Sequence, residues 1–338
     1  MERGPTARAP PSRDYDSASS PMSMTRLLYA SDFHGSEAYF RKFLGAALHY
    51  KADALIVGGD VTGKAMIPIL HRGNGRYEAT LFNRRETPST PAELERLRQT
   101  ISNVGFYPIV LEPDEAVALE ADPQRMSERF EQEMIARVRQ WMGLAEETLR
   151  RPDVHLYFMC GNDDLPSIDA AIEGYDHIHN PDGRRFWLDT DHELVGLSLA
   201  NMTPWKCARD TEEDELARRL DQVASLLEAP ERAVLVIHVP PYDSGLDLCP
   251  ELDEKLQIVH RGGHVLMKPA GSPAVRALIE RLQPLLTLHG HIHESPGHVR
   301  LGRTLSINAG SEYAEGIMKA AIVNLERDRV RGHVLISG

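Results

Sequence analysis

Cysteine is scarce: the 338 residues contain three, Cys160, Cys207 and Cys249, with no C-x-x-C pair. An odd, small number in a chain this long excludes a disulfide framework and fits a reducing cytoplasm. Long apolar runs are missing too. No stretch approaches the roughly 18 residues of a membrane helix, so no bilayer span is expected. Positive charge is in deficit, with 38 basic against 50 acidic residues and a net charge of −12. That weighs against a general nucleic-acid or anionic-membrane binder, which needs summed positive potential. A local anion site is not excluded, because bound metal ions invert the local field. Residues 1–24 have Arg, Pro and Ser but no apolar centre. They are no secretory signal and are expected to form a disordered tail, with Met22 or Met24 as an alternative start.

What is plentiful is core-forming material, 42% hydrophobic residues. Apolar runs at 26–30, 52–59, 154–160, 193–200, 232–237 and 284–288 read as strands. Between them, 36–50, 210–228 and 272–282 read as helices. In the last, Val275, Leu278, Ile279 and Leu282 fall on one helix face. Strands alternating with helices imply a layered α/β protein. Residues 25–338 are expected to form one domain.

The interval after Asp60 is irregular. Residues 66–82 read as a β-hairpin around Gly73-Asn74-Gly75, followed by a helix at 91–104 and a strand at 107–112. Residues 64–113 are therefore expected to be an inserted cap that shapes the pocket. Replacing it should leave metal binding intact and alter substrate choice. A long helix over 125–150 carries Met126, Phe130, Met134, Val138, Trp141, Ala145 and Leu149 on one stripe, which reads as core.

Several strand-like runs end in residues able to bind metals: Asp32 and His34, Asp60, His238, and His291 with His293. The stretch 159–165, MCGNDDL, adds Asn162, Asp163 and Asp164. Each piece alone reads as a turn, a helix cap or an ordinary histidine. Together they gather at the carboxyl ends of strands, the edge where open α/β sheets bind ligands. Asp32 and His34, like His291 and His293, are two apart and share a side of an extended segment. Mixed nitrogen and oxygen donors suit Zn, Fe or Mn.

In this order, D-x-H (32–34), GGD (58–60), GN (161–162), His238 after a strand and GH-x-H (290–293) resemble the calcineurin-like metallophosphoesterases. HVPPY (238–242), NMTPW (201–205) and NAGSEY (308–313) are similar to its small-phosphoesterase branch. The resemblance covers residues 26–325, with 64–113 an insertion. It implies a four-layer αββα sandwich, an α/β (α+β) fold of two mixed β-sheets flanked by helices. It also implies two divalent ions, Mn, Fe or Zn, with Mn expected in vitro. Asp32, His34 and His293 would hold the first, Asn162, His238 and His291 the second, and Asp60 would bridge them. Two cations about 3.5–4 Å apart suit in-line displacement at phosphorus by a bridging hydroxide.

The family usually carries a His after Gly-Asn, oriented by an acid; here Asp163 takes that place and Asp164 is the acid. An ionised Asp163 beside cations is a poor proton donor and repels a dianionic monoester more than a monoanionic diester. A cytoplasmic phosphodiesterase is expected. A nuclease on the same scaffold and a non-catalytic metal-binding scaffold are the alternatives. His289 reads as a buried structural residue, and Asn308, Gly310 and Ser311 read as a turn. Arg72, Arg76, Arg84 and Arg85 read as solvated surface, and Tyr242 and Arg261 are candidate substrate contacts.

Overall fold

The computed structural model describes residues 24–149 and 154–338. The expected tail, apart from Met24, lies outside the described residues, as does the alternative start at Met22.

Two six-stranded mixed sheets face each other. The first runs, in spatial order, 329–337, 319–326, 25–30, 54–58, 155–159 and 178–179. The second runs 297–301, 304–308, 286–289, 234–237, 193–197 and 185–187. The central strands of each are parallel: Leu27 pairs with Ala54 and Leu55 with Leu156, while Val234 pairs with Leu286 and Leu194 with Val234. Parallel strands are covered on both faces, which is why these runs read as continuous apolar stretches.

The period-2 alternation divides each strand between two cores. Leu27, Tyr29, Ile56 and Tyr157 point inward and meet Val234, Val236, Leu286 and Ile307 of the second sheet. Their neighbours Leu28, Ala30, Leu55, Val57 and Phe158 point outward to Phe40, Phe43, Val138 and Trp141 on the helices Glu37–Tyr50 and Pro123–Thr148. On the far side Val195, Leu235 and Ile237 pack on Leu216 and Leu220 of helix Glu213–Ala224 and on Val275 and Ile279 of helix Pro273–Leu282. The result is the expected αββα sandwich.

The helix Glu37–Tyr50 starts where Ser36 caps it, its Oγ accepting from Tyr39 N at 3.3 Å. It stops at Lys51, which adopts a left-handed conformation and donates to the carbonyls of Ala47 and Leu48. On the helix Pro123–Thr148 and its C-cap, the stripe from Met134 to Leu149 joins the core and Phe130 packs against it, whereas Met126 packs on the segment before it.

Residues 66–111 form a separate four-stranded sheet in the order 84–86, 77–81, 66–71, 107–111, backed by helix Pro91–Asn103. The hairpin 66–81 forms as expected. A further helix, Pro113–Glu120, lies where the sequence suggested only a boundary. Arg72 and Arg85 pair with Glu78 on this sheet, as solvated surface residues do.

Candidate metal centre

Loops at the carboxyl ends of five strands meet on one edge. Asp32 and His34 follow the strand Thr25–Ala30, Asp60 follows Ala54–Gly58, Asn162 and Asp163 follow His155–Met159, His238 follows Val234–Ile237, and His291 and His293 follow Leu286–His289. Asp32, His34, Asp60 and His291 have positive φ, from 41° to 67°. Non-glycine residues rarely adopt that conformation, and those that do are concentrated at functional sites, where packing sustains the strain.

The side chains form two groups. In one, His34 Nε2 lies 3.1 Å from His293 Nε2, and His293 Nε2 lies 3.4 Å from Asp32 Oδ1. In the other, Asn162 Oδ1 lies 3.0 Å from both His238 Nε2 and His291 Nδ1. Asp60 touches both: its Oδ1 is 3.3 Å from His238 Nε2 and its Oδ2 is 3.7 Å from His34 Nε2. Asp32, His34 and His293 form one candidate metal triad, and Asp60, His238 and His291 form another. Two imidazole nitrogens 3.1 Å apart beside carboxylates are spaced to share a proton or a cation. The donor set, four histidines with two aspartates and an amide, fits two borderline divalent ions.

Partners behind the ligating atoms set their direction. His238 Nδ1 lies 2.9 Å from Gly58 O, which leaves Nε2 facing the site. Asn162 Nδ2 donates to Asp210 Oδ1 at 2.7 Å, which turns Oδ1 toward the histidines. Gly161 must be glycine, since a Cβ there would fall 2.2 Å from Asp60 Oδ1. Ser311 Oγ donates to Asp32 O, so the turn around 308–311 braces the first ligand loop. Asp210 gave no sequence signal, because it stands 48 residues from its partner.

Asp163 and Asp164 part ways. Asp163 lines the cavity, with Oδ2 3.4 Å from Lys64 Nζ and 3.8 Å from His34 Nδ1. Lys64, like Asp210, gave no signal in the sequence. Asp164 does not line the cavity and is fully buried. Its carboxylate accepts from the backbone N–H groups of Val61, Thr62 and Gly161 and from Thr62 Oγ1. It orients the backbone around Asp60 rather than a reacting side chain. His289 is buried with both ring nitrogens bonded, to Ile237 O and Val239 O and to Thr287 Oγ1, and is structural. Neither Tyr242 nor Arg261 lines the cavity.

Electrostatics prepare the groups for cations. Burial pushes His34 down to about 3, and burial with the neighbouring His238 takes His291 down to about 4, so both imidazoles are neutral at pH 7, the form a cation requires. Burial opposes charging of His238 as well, but the Asp60 carboxylate outweighs it and carries the imidazole up to about 9. Below that pH a proton occupies a position that a cation needs. Metal uptake at pH 7 should therefore release protons, and apparent Mn affinity should rise with pH through neutrality and level off above about 9. Calorimetric titration in buffers of different ionisation enthalpy reads this directly; a pH-independent affinity would contradict it.

No family model matches the sequence, and no curated protein matches it. Solved structures do align over nearly its whole length. One is 17% identical, covering 93% of this chain and 99% of its own with a TM-score of 0.54. The protein TT1561 of Thermus thermophilus is 15% identical, covering 94% and 99% with a TM-score of 0.51. A dimetal phosphatase from Danio rerio aligns more loosely, with 11% identity, 93% and 98% coverage and a TM-score of 0.43. The chain shares its two-sheet αββα fold with the first two of these structures and carries a candidate binuclear metal centre. Among the described residues, no helix is long and apolar enough to cross a membrane.

Proposed function

We propose that the protein is a phosphoesterase that uses two divalent ions and prefers phosphodiesters. The observation that carries this is Asp60, whose two carboxylate oxygens face two separate ligand groups. Asp32, His34 and His293 would hold one ion, Asn162, His238 and His291 the other, and Asp60 both. Two ions held there would polarise a phosphoryl oxygen and make hydroxide available near neutral pH.

The chain's own residues then select the ester. Asp163 faces the same cavity as Asp60 and His291, so a bound phosphoryl group meets its carboxylate. Lys64 offsets that single charge, and the pair adds no net attraction for a dianion. The cavity rim adds Asp253, Glu254 and Glu294 against Lys268. A monoanionic diester meets less repulsion there than a dianionic monoester. The three free cysteines support a reducing, cytoplasmic setting.

Metal analysis of the purified protein beside a phosphate-ester panel tests the whole reading; finding neither bound metal nor hydrolysis sinks it. Asp163→Asn tests the preference. It leaves Lys64 unpaired and should raise kcat/KM for monoesters relative to diesters about tenfold. That is modest beside the roughly 4 kcal/mol between unit charges about 4 Å apart near a protein surface. Asp163→His should help substrates with poor leaving groups most, since they depend on proton donation. If every ratio stays put, Asp163 does not act on the phosphoryl group.

A further inference from the structure

The candidate metal centre forms only the floor of a cavity of about 980 Å³. Pockets of about 300–1,000 Å³ hold whole drug-sized molecules, so a phosphoryl group leaves most of this space to the rest of its ester. Two segments that hold no metal-ligating residue build the walls. Residues 201–207 bring Met202 and Trp205, and residues 249–270 bring Leu256 and Ile258. The four are 45%, 64%, 45% and 47% exposed. Scattered exposed apolar residues are ordinary, but several large ones turned into one cavity mark a binding surface.

This wall is fixed relative to the centre. The Asp210 carboxylate that orients Asn162 through Oδ1 also accepts, through Oδ2, the backbone N–H groups of Thr203 at 3.0 Å and Cys207 at 2.9 Å. One carboxylate thus sets the metal-facing amide and the loop carrying Trp205 together. Asn201 Nδ2 reaches Ala270 O at 3.4 Å, tying this loop to the end of the second wall segment. Charge narrows the occupant further. Asp253, Glu254 and Glu294 stand against Lys268 around the walls, an environment that disfavours an organic group bearing more negative charge.

From this arrangement we propose that the site takes phosphate esters of large, uncharged, apolar or aromatic alcohols, with the organic half seated against Trp205, Met202, Leu256 and Ile258. This rests on the phosphoesterase reading and names its substrate class. The two are separable by experiment. With Mn-loaded protein, kcat/KM is measured for 4-methylphenyl and 4-butylphenyl phosphates and for their methyl diesters, pairs matched in leaving-group acidity. Partial burial of three additional methylenes should favour butyl over methyl by about tenfold. Trp205→Ala and, independently, Ile258→Ser should each lower that ratio several-fold. Hydrolysis of both members with a ratio near one overturns this inference and leaves the phosphoesterase reading standing.

Binding is read separately from turnover with 4-methylbenzyl- and 4-butylbenzylphosphonate, which are not hydrolysed. Saturable, blue-shifted Trp emission that is tighter for butyl and is lost in Trp205→Phe supports the inference. Equal affinities overturn it even where no ester is hydrolysed.

Discussion

Asp60→Asn is expected to abolish hydrolysis of every phosphate ester and to reduce the metal content from two ions per chain to one or none. The substitution keeps the size of the side chain and an oxygen that can still accept from Asp163 N, a bond now 3.0 Å long. It replaces the second anionic oxygen with an NH2 group, which has no lone pair to offer a cation, and leaves the remaining oxygen uncharged. His34 then faces that NH2 across a distance now 3.7 Å, while His238, 3.3 Å from Oδ1, keeps an oxygen without the charge. Removing a single transition-state donor typically costs about 10²–10³-fold, and loss of a bridge shared by both ions should exceed that. Metal content by elemental analysis and kcat/KM on an ester panel are the measurements, with a melting curve to confirm folding. Two ions per chain and turnover within tenfold of the parent protein would remove Asp60 from the centre.

The second large effect concerns residues 64–113, and it reverses the expectation formed from sequence. That segment contributes only Lys64 to the cavity lining. It packs instead behind the first ligand loop. Tyr107 Oη accepts from Gly63 N at 2.7 Å, and Ser36 Oγ donates to Asn103 O at 2.6 Å. Arg137 from the long helix donates to Gly35 O at 2.7 Å and to Ser102 Oγ at 3.0 Å. We propose that 64–113 is an insert that braces the Asp32–Gly35 loop rather than a lid that chooses substrates. Replacing it with a short linker should cost the first metal along with stability, because each buried polar group left unpaired costs about 1–3 kcal/mol.

Gly105→Ala makes the same test with one atom group. Gly105 has φ +90°, and a Cβ there would fall 2.2 Å from the His34 carbonyl oxygen. Displacing that carbonyl should lower stability by about 1–3 kcal/mol and weaken the site made by Asp32, His34 and His293. A linker variant that retains both ions and its melting temperature would return the segment to the role the sequence suggested.

Much of the candidate centre was legible in the sequence alone. Strands such as 54–58 and 234–237 show as apolar runs because both their faces are buried, and a polar residue directly after such a run stands out. Asp32, His34, Asp60, Asn162, His238, His291 and His293 were all named on that ground and by family resemblance, and the structure gathers them on one edge. Helix limits were legible to within a few residues where a cap spoke locally, as Ser36 does for Glu37–Tyr50. The walls of the cavity were not legible. Residues 248–269 contain strands of only two or three residues, too short to show a period.

The sequence by itself determined the layered architecture, because helix and strand periodicity, capping and strand-end loops are written within a few residues of one another. Tertiary structure decided which polar residues serve the site from a distance. It set Lys64 beside Asp163, turned Asp164 toward the backbone, joined Asp210 to both Asn162 and the loop of Trp205, and put residues 102–107 behind His34. The contacts of Lys64 with Asp163, Thr62 with Asp164, Asn162 with Asp210 and Gly105 with His34 join residues tens of positions apart, and a lone Lys or Asp looks the same in a sequence whether it ends in solvent or against a ligand. Packing selects between the two, because a buried polar group must find a partner wherever the fold brings one.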